Sequence, residues 1–280
     1  MYKETFNKSW KDLFNNLQLF IPDAIFIIVS FIVGYFFINL LGLTNLLNSL
    51  GYSLLQSADP LLQSGESLVR FLETLDPAFI VKAAFYLALF IVITFFVGSG
   101  TNVVKYHMIR NLLTKKKISL KESLTGGARH FFWRYIGMKI MSFIVALIGG
   151  IVILLIAMPI NNKDTEVIVL MILAVLFGIF LGLWLYFLAP MLFLSNKKLT
   201  DIFFDAFNFL KNRFSVVLST VVIILAVGIL GSIVLKLFEY AIGDYFILLI
   251  ILNVIVSLVL GVWGELYKFM IYSKVEKIKR

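Results

Sequence analysis

Ionisable side chains inside apolar segments are the groups of this sequence whose types and spacing could do chemistry, because burying them in a membrane is costly. Glu265 and Lys268 lie three residues apart near the end of an apolar run, so a helix places them on one face. We predict a polar cluster here that also includes Asp23, Lys139 and Asn253. The alternative interpretation is an interfacial Glu–Lys pair at a helix end, with the lysine stem on apolar surface.

Asn253 lies deeper in the same apolar run. An amide in a span commonly hydrogen-bonds a neighbouring helix, and contact with a substrate is the other interpretation. In an earlier run, Gly178 and Gly182 have the small-x-x-x-small spacing that permits close helix packing. Pro190, at the end of that run, is expected to bend or end its helix.

The sequence lacks the residue patterns of the common catalytic and cofactor sites. It has no cysteine, no phosphate-binding loop and no nucleophile elbow. His107 and His130 have no acidic or second histidine partner at a metal-binding spacing. We therefore predict no catalytic residue, no cofactor and no metal site, and favour a protein that is not an enzyme.

Basic residues outside the apolar runs predict a patch that contacts anionic lipid headgroups. The formal net charge is +9. Because most basic residues lie on one side of the predicted spans, this charge reflects membrane topology, and nucleic acid is not an expected partner. The predicted patch comprises Lys115, Lys116, Lys117, Lys121, Arg129, Arg134, Lys211 and Arg213.

The elements that must position these residues are apolar helices. With 61% hydrophobic and 15% charged residues, the 280-residue chain has the composition of an integral membrane protein of class all-α, forming one membrane domain over residues 1–280. Six runs are long enough to cross a bilayer. They are Ala24–Leu41, Ala83–Val104, Ile136–Ile160, Val167–Leu194, Phe214–Leu235 and Tyr245–Leu266.

The lysines and arginines predict the orientation of these spans. Four segments hold 21 of the 25 basic residues: the N-terminus, Lys105–Lys139, Lys197–Arg213 and the C-terminus. By the positive-inside rule, both termini lie in the cytoplasm, and the expected location is the plasma membrane. On the opposite side, residues 43–77 form an insert with a leucine stripe, for which we predict short amphipathic helices.

An internal repeat groups the spans into three tandem units. At an offset of 79 residues, Arg134 matches Arg213 and Trp184 matches Trp263, and an offset of 84 relates Gly98 to Gly182. The predicted units are 2–112, 115–196 and 197–280, each an interfacial amphipathic helix followed by a hairpin of two spans. All three enter the membrane from one side, so we predict a parallel, pseudo-threefold arrangement. The amphipathic helices are Thr5–Leu19, Ser119–Arg134 and Thr200–Arg213.

The stretch Lys198-Leu-Thr-Asp-Ile-Phe-Phe-Asp-Ala-Phe after Ala189-Pro190 has a basic turn, a hydroxyl residue, an amphipathic helix and then an aliphatic span. This unit resembles six-span prokaryotic membrane families related to the membrane domain of glycerophosphoryl diester phosphodiesterases. The six spans leave no room for a phosphodiesterase domain within these 280 residues, so the resemblance does not imply that activity. The resemblance implies a membrane module acting near lipids or in transport.

We therefore favour a non-enzymatic module that handles or senses lipid or a small amphiphile. The alternatives are a permease or channel subunit with an axial pathway, and a scaffold that organises the membrane. The lipid bilayer is the expected partner, and a homo-oligomer or a partner subunit is left open.

Overall fold

The structure is a computed structural model that describes residues 1–41, 77–159, 163–195, 197–242 and 245–277. These residues form helices and the turns between them, and none of them forms a strand. The predicted all-α class is therefore confirmed for the described chain. We predict amphipathic helices for residues 43–77, and apart from position 77 these residues lie outside the described chain.

Nine helices of seven or more residues occur in the described chain. They are α1 (Tyr2–Phe14), α2 (Ile21–Leu40), α3 (Pro77–Leu113), α4 (Ala128–Ala157), α5 (Lys163–Leu185), α6 (Leu188–Leu194), α7 (Leu199–Asn212), α8 (Phe214–Ile242) and α9 (Phe246–Val275). A 3-10 helix, Leu17–Phe20, precedes α2. One helical turn, Leu120–Glu122, and a π-helical turn, Ser123–Gly127, lead into α4.

Six stretches of the described chain are helical, long and apolar enough to cross a membrane. Their mean hydropathies lie between 2.3 and 3.0, which indicates an integral membrane protein. Six helices that could span a membrane therefore lie at the positions of the six predicted spans. The stretches are Leu17–Leu40, Phe79–Leu113, Leu120–Ala157, Thr165–Leu194, Phe214–Tyr240 and Ile247–Val275.

The chain divides into two compact units. The larger contains Met1–Asp23 and Ser99–Arg280, and the smaller contains Ala24–Gly98. In the smaller unit, α2 and α3 pack through aromatic rings: the ring centroid of Phe37 lies 5.7 Å from that of Tyr86 and 6.0 Å from that of Phe90. An apolar groove of about 250 Å³ lies beside these rings.

The core of the larger unit is formed by the helix ends that lie next to the basic segments of the sequence. We call this region the basic end and define it as residues 1–23, 99–139, 187–217 and 262–277. Its fully buried side chains include Phe131, Phe193, Trp263 and Phe269. Burying each such side chain contributes about 1.5–3 kcal/mol, so packing here stabilises the fold.

The apolar middles of the spans, which we call the arms, are packed much less. In the most apolar 18-residue stretch of each span, between 0% and 17% of residues are buried inside the protein. Side chains such as Leu155, Val175 and Leu230 are more than half exposed. A soluble protein rarely exposes an apolar surface of this size, so the arms have the surface of an integral membrane protein.

Glycine allows close approach in the arms at positions other than the predicted ones. A Cβ added at Gly178 or Gly182 would meet no atom within 4 Å, so the predicted packing role of this pair is wrong. The close approaches occur at Gly149, which faces Phe177, and at Gly231, which faces Leu260. The expectation for Pro190 is confirmed, because α5 ends at Leu185 and Pro190 lies in the first turn of α6.

The second predicted amphipathic helix, Ser119–Arg134, differs from the structure. Ser119 accepts a hydrogen bond from the backbone N–H of Glu122 and caps the first helical turn. The π-helical turn then continues directly into α4, so residues 128–134 belong to the spanning helix. Two adjacent glycines, Gly126 and Gly127, lie in this turn and allow the wider backbone to form without a side-chain clash.

Candidate functional site

Two ion pairs and three tyrosines form a polar cluster inside the basic end. Its first pair joins α3 to the start of α2. Lys105 Nζ donates to both carboxylate oxygens of Asp23, at 2.9 and 3.0 Å. The Lys105 side chain is only 7% exposed and that of Asp23 21%, so water screens this pair poorly.

The second pair lies within α9. Lys268 Nζ is 2.6 Å from Glu265 Oε2, and the two residues are one helical turn apart. The ring of Tyr186, at the break between α5 and α6, lies 5.2 Å from the same ammonium group, close enough for a cation–π contact. Lys268 therefore has a carboxylate and an aromatic face as partners in a largely buried position.

Tyrosines and a shared charge connect the two pairs. The ring centroid of Tyr106 lies 5.5 Å from the Lys105 ammonium group and 5.8 Å from the ring centroid of Tyr135. Lys105 is close enough to act on the charge of Glu265 as well as on that of Asp23. The two carboxylates therefore belong to one electrostatic network rather than to two isolated pairs.

Lys139 extends the cluster on α4. Its ammonium group donates a 3.1 Å hydrogen bond to Ser99 Oγ and lies 5.1 Å from the ring centroid of Tyr135. We define the polar cluster by the residues connected in this way. They are Asp23, Ser99, Lys105, Tyr106, Tyr135, Lys139, Tyr186, Glu265 and Lys268.

Four of the five predicted cluster residues lie in this network: Asp23, Lys139, Glu265 and Lys268. Asn253 does not, since it is exposed on an arm, where its Oδ1 accepts a 3.2 Å hydrogen bond from Ser257 of the same helix. The hydrogen bond therefore joins Asn253 to its own helix and not to a neighbouring one.

The sequence pattern does not identify Lys105 as a cluster residue, because hydropathy places it in the connection after the second span. A signal for it was present. The repeat offsets of 84 and 79 residues relate Lys105 to Ala189 and Ala189 to Lys268, so two of the three units carry lysine at one equivalent position. Chemically, each carboxylate of the cluster already has a lysine partner, so the cluster holds charges in place rather than presenting a free acid or base.

The predicted headgroup patch is mostly exposed at the basic end. Arg134 is the exception: it is half-buried, donates to the backbone carbonyl of Lys197 and lies over the ring of Phe131. Contact with lipid remains a prediction for the patch. Its exposed members are Lys115, Lys116, Lys117, Lys121, Arg129, Lys211 and Arg213.

Two tryptophans attach amphipathic helices to the basic end. Trp184 Nε1 donates to the carbonyl of Phe203 in α7, at 3.1 Å. Trp263 Nε1 donates to Ser9 Oγ in α1, at 2.9 Å, and its ring stacks on that of Trp10 at a centroid distance of 5.0 Å. In both cases an indole near the end of a span holds an amphipathic helix that does not directly precede that span in the chain.

The third amphipathic segment is held by a different side chain. His107 of α3 is hydrogen-bonded to Ser123 in the π-helical turn, at 3.1 Å. The same imidazole packs on Gly127, where a Cβ would lie 2.6 Å from His107 Cγ. Close contact with this ring therefore requires a residue without a side chain at position 127.

Among the described residues, no three histidine or acidic side chains form a group that could hold a metal ion. Compared with known protein families, with curated proteins and with solved structures, the chain matches none.

Proposed function

We propose that this protein is a lipid-binding module of the membrane, in which the arms take up acyl chains and the basic end fixes the helices from one side. The observation that carries the proposal is the contrast in packing. The basic end buries large aromatic side chains completely, whereas at most 17% of each apolar stretch is buried. Surface of this kind is complementary to hydrocarbon chains.

The apolar groove of the smaller unit is the proposed acyl-chain site. Gly34, Phe37 and Leu41 of α2 form one side, and Tyr86 and Phe90 of α3 form the other. Both segments belong to helices apolar enough to span a membrane, so the surrounding solvent is lipid hydrocarbon. An acyl chain is the occupant with matching chemistry.

The packed basic end favours this proposal over a channel or permease with an axial pathway. Trp263 and Phe269 are at most 1% exposed there. In each ion pair of the polar cluster, the lysine lies within 3 Å of its carboxylate partner. Ion conduction requires polar groups that can exchange their partners with the permeating ion.

The tryptophan contacts support a rotational repeat as part of the same proposal. Trp184 of the second predicted unit contacts α7 of the third, and Trp263 of the third contacts α1 of the first. In the larger unit, α7 would then join its own hairpin to that of the preceding unit. The unit boundaries at 112, 115, 196 and 197 stay predictions.

The test is photolabelling of the full chain in nanodiscs with a phospholipid that carries a diazirine on its acyl chain. Gly34→Leu fills the groove, since a Cβ at Gly34 would lie 3.8 Å from Phe90. We expect it to abolish labelling of the peptides around Phe37 and Phe90. Gly228→Leu is the matched control, because a Cβ there meets nothing within 4 Å and it adds the same bulk to another span.

Two outcomes would contradict the proposal. Labelling around Phe37 and Phe90 that is unchanged by Gly34→Leu would mean that no chain occupies the groove. Ion or solute flux into sealed liposomes containing the purified protein, abolished by substitutions in the polar cluster, would identify a transporter instead.

A further inference from the structure

A polar pocket at the basic end, separate from the apolar groove, has the lining of a small-molecule site. It has a volume of about 320 Å³, at the lower end of the range of ligand pockets. One wall is the polar face of α7, and the opposite wall is the end of α9. The lining residues are Met191, Lys197, Asp205, Asn208, Phe209, Asn212, Arg213, Tyr272 and Glu276.

The charges of this pocket are balanced but only partly paired. Lys197 Nζ donates to Asp205 Oδ2 at 2.7 Å. Arg213 and Glu276, also at its rim, form no ion pair within 4 Å with any side chain of the described chain. Two basic and two acidic side chains therefore give a net charge of zero, with one cation and one anion left available.

The remaining lining supplies contacts of both kinds. Asn208 and Asn212 lie one turn apart on α7 and provide amide N–H donors for an anion beside Arg213. Phe209 and Tyr272 are buried, with their ring centroids 5.5 Å apart, and form an aromatic floor. Aromatic faces attract ammonium groups, so this floor suits the amine of a ligand.

We propose that this pocket binds a small zwitterion that carries one phosphodiester and one amine. The phosphate oxygens would accept hydrogen bonds from Arg213, Asn208 and Asn212, and the amine would lie between Glu276 and the aromatic floor. A dianion is a poor match because the acidic side chains of the pocket cancel its basic ones. The chemistry is that of an aminoethyl phosphate lipid headgroup or of the same group free in water.

The experiment measures binding to the full chain by calorimetry. 2-Aminoethyl methyl phosphate is the free zwitterion, dimethyl phosphate carries only the anion, and ethanolamine carries only the cation. We expect the zwitterion to bind at least tenfold more tightly than either half. In a second arm, nanodiscs containing phosphatidylethanolamine or phosphatidylglycerol test whether the same group is recognised on a lipid.

Two substitutions test which side chain binds the phosphate and which binds the amine. Arg213→Gln should weaken zwitterion binding by about tenfold, as expected for the loss of one charged hydrogen bond. Glu276→Gln should weaken binding of the zwitterion while leaving that of dimethyl phosphate unchanged. Lys198→Gln is the matched control, since Lys198 is an exposed cation that belongs neither to the pocket lining nor to the predicted headgroup patch.

Each outcome decides the proposal. Binding of the free zwitterion, or binding only of phosphatidylethanolamine, would support it and identify the source of the ligand. No binding in either arm, equal binding of dimethyl phosphate and zwitterion, or equal effects of Arg213→Gln and Lys198→Gln would overturn it. Because Gly34 lies outside this pocket, failure here leaves the acyl-chain test of the smaller unit unaffected.

Discussion

Lys105 Nζ lies 2.9 Å from Asp23 Oδ1, and the pair joins the third helix to the start of the second in a position with little access to water. Removing one partner of such a pair leaves a poorly solvated charge. We expect Lys105→Met to lower the free energy of unfolding by about 3 kcal/mol. The double variant Asp23→Asn/Lys105→Met should recover at least about 1 kcal/mol of this loss.

Thermal or urea unfolding of the detergent-solubilised chain measures both values. The exposed pair of Lys197 and Asp205 is the control, and Lys197→Gln should cost about 1 kcal/mol or less. Strict additivity of the Asp23 and Lys105 substitutions would show that the buried pair is not coupled.

The contact between Gly127 and His107 predicts different effects at two neighbouring glycines. In Gly127→Ala, the new methyl group would clash with Cγ and Cβ of His107, and no change of rotamer moves Cβ. We expect a loss of about 1–3 kcal/mol. Gly126→Ala meets nothing within 4 Å and should be neutral or slightly stabilising, as measured by thermal unfolding.

The pair of Glu4 and Lys274 predicts a pH dependence at the end of α1. The hydrogen bond from Lys274 holds the pKa of Glu4 below its usual value of 4.5. A depressed pKa stabilises the fold above pH 4.5, and this contribution is lost as the pH falls through the lower folded-state value. The stability difference between the natural chain and Glu4→Gln should therefore shrink as the pH falls below 4.5 and vanish below the folded-state pKa of Glu4.

Fluorescence-detected unfolding measures this difference, because Trp10 and Trp263 report the docking of α1. Lys274→Gln should give the same pH profile as Glu4→Gln, since it removes the other half of the pair. A difference that grows on acidification would contradict the prediction.

The hydrogen bond from Trp263 to Ser9 predicts an effect of the indole N–H alone. Trp263→Phe keeps an aromatic ring in the stack but leaves Ser9 Oγ without this donor, so we expect a loss of about 1–2 kcal/mol from the free energy of unfolding. Trp133→Phe is the control, because Trp133 is 71% exposed and should change stability by less than about 0.5 kcal/mol.

The distribution of basic residues predicts cytoplasmic termini, and the absence of cysteine makes a labelling test direct. Tyr240→Cys should react with an impermeant thiol reagent added outside intact cells, since Tyr240 is 93% exposed at the end of α8 opposite the basic end. Thr125→Cys should react only after permeabilisation. The reverse pattern would mean that the basic end lies outside.

The sequence was sufficient for the number of spans, because runs of about twenty apolar residues have few other uses. It was insufficient for their ends. Hydropathy falls at the first charges, but α3 continues to Leu113 and α9 to Val275. Hydropathy therefore places Lys105 in a connection, although the backbone there is helical and the Lys105 ammonium group bonds Asp23.

Glycine packing was mispredicted for a different reason. The spacing of Gly178 and Gly182 indicates that they share a helix face, but it does not tell which way that face points. The rotation of a span follows from its partner's side chains, and only coordinates identified Gly149 and Gly231 as the close approaches. The polar pocket was missed similarly, since α7 and the end of α9 become neighbours only in the fold.

The docking of α1 on α9 has a consequence for synthesis at the ribosome. Ser9 emerges early, but its partner Trp263 is made 254 residues later. At about 5–20 residues per second, that interval lasts roughly 10–50 s. During this time the nascent α1 can lie on the membrane surface, because Phe6, Trp10 and Leu13 form an apolar stripe. Although α1 is translated before every other described helix, it is then among the last to reach its final contacts.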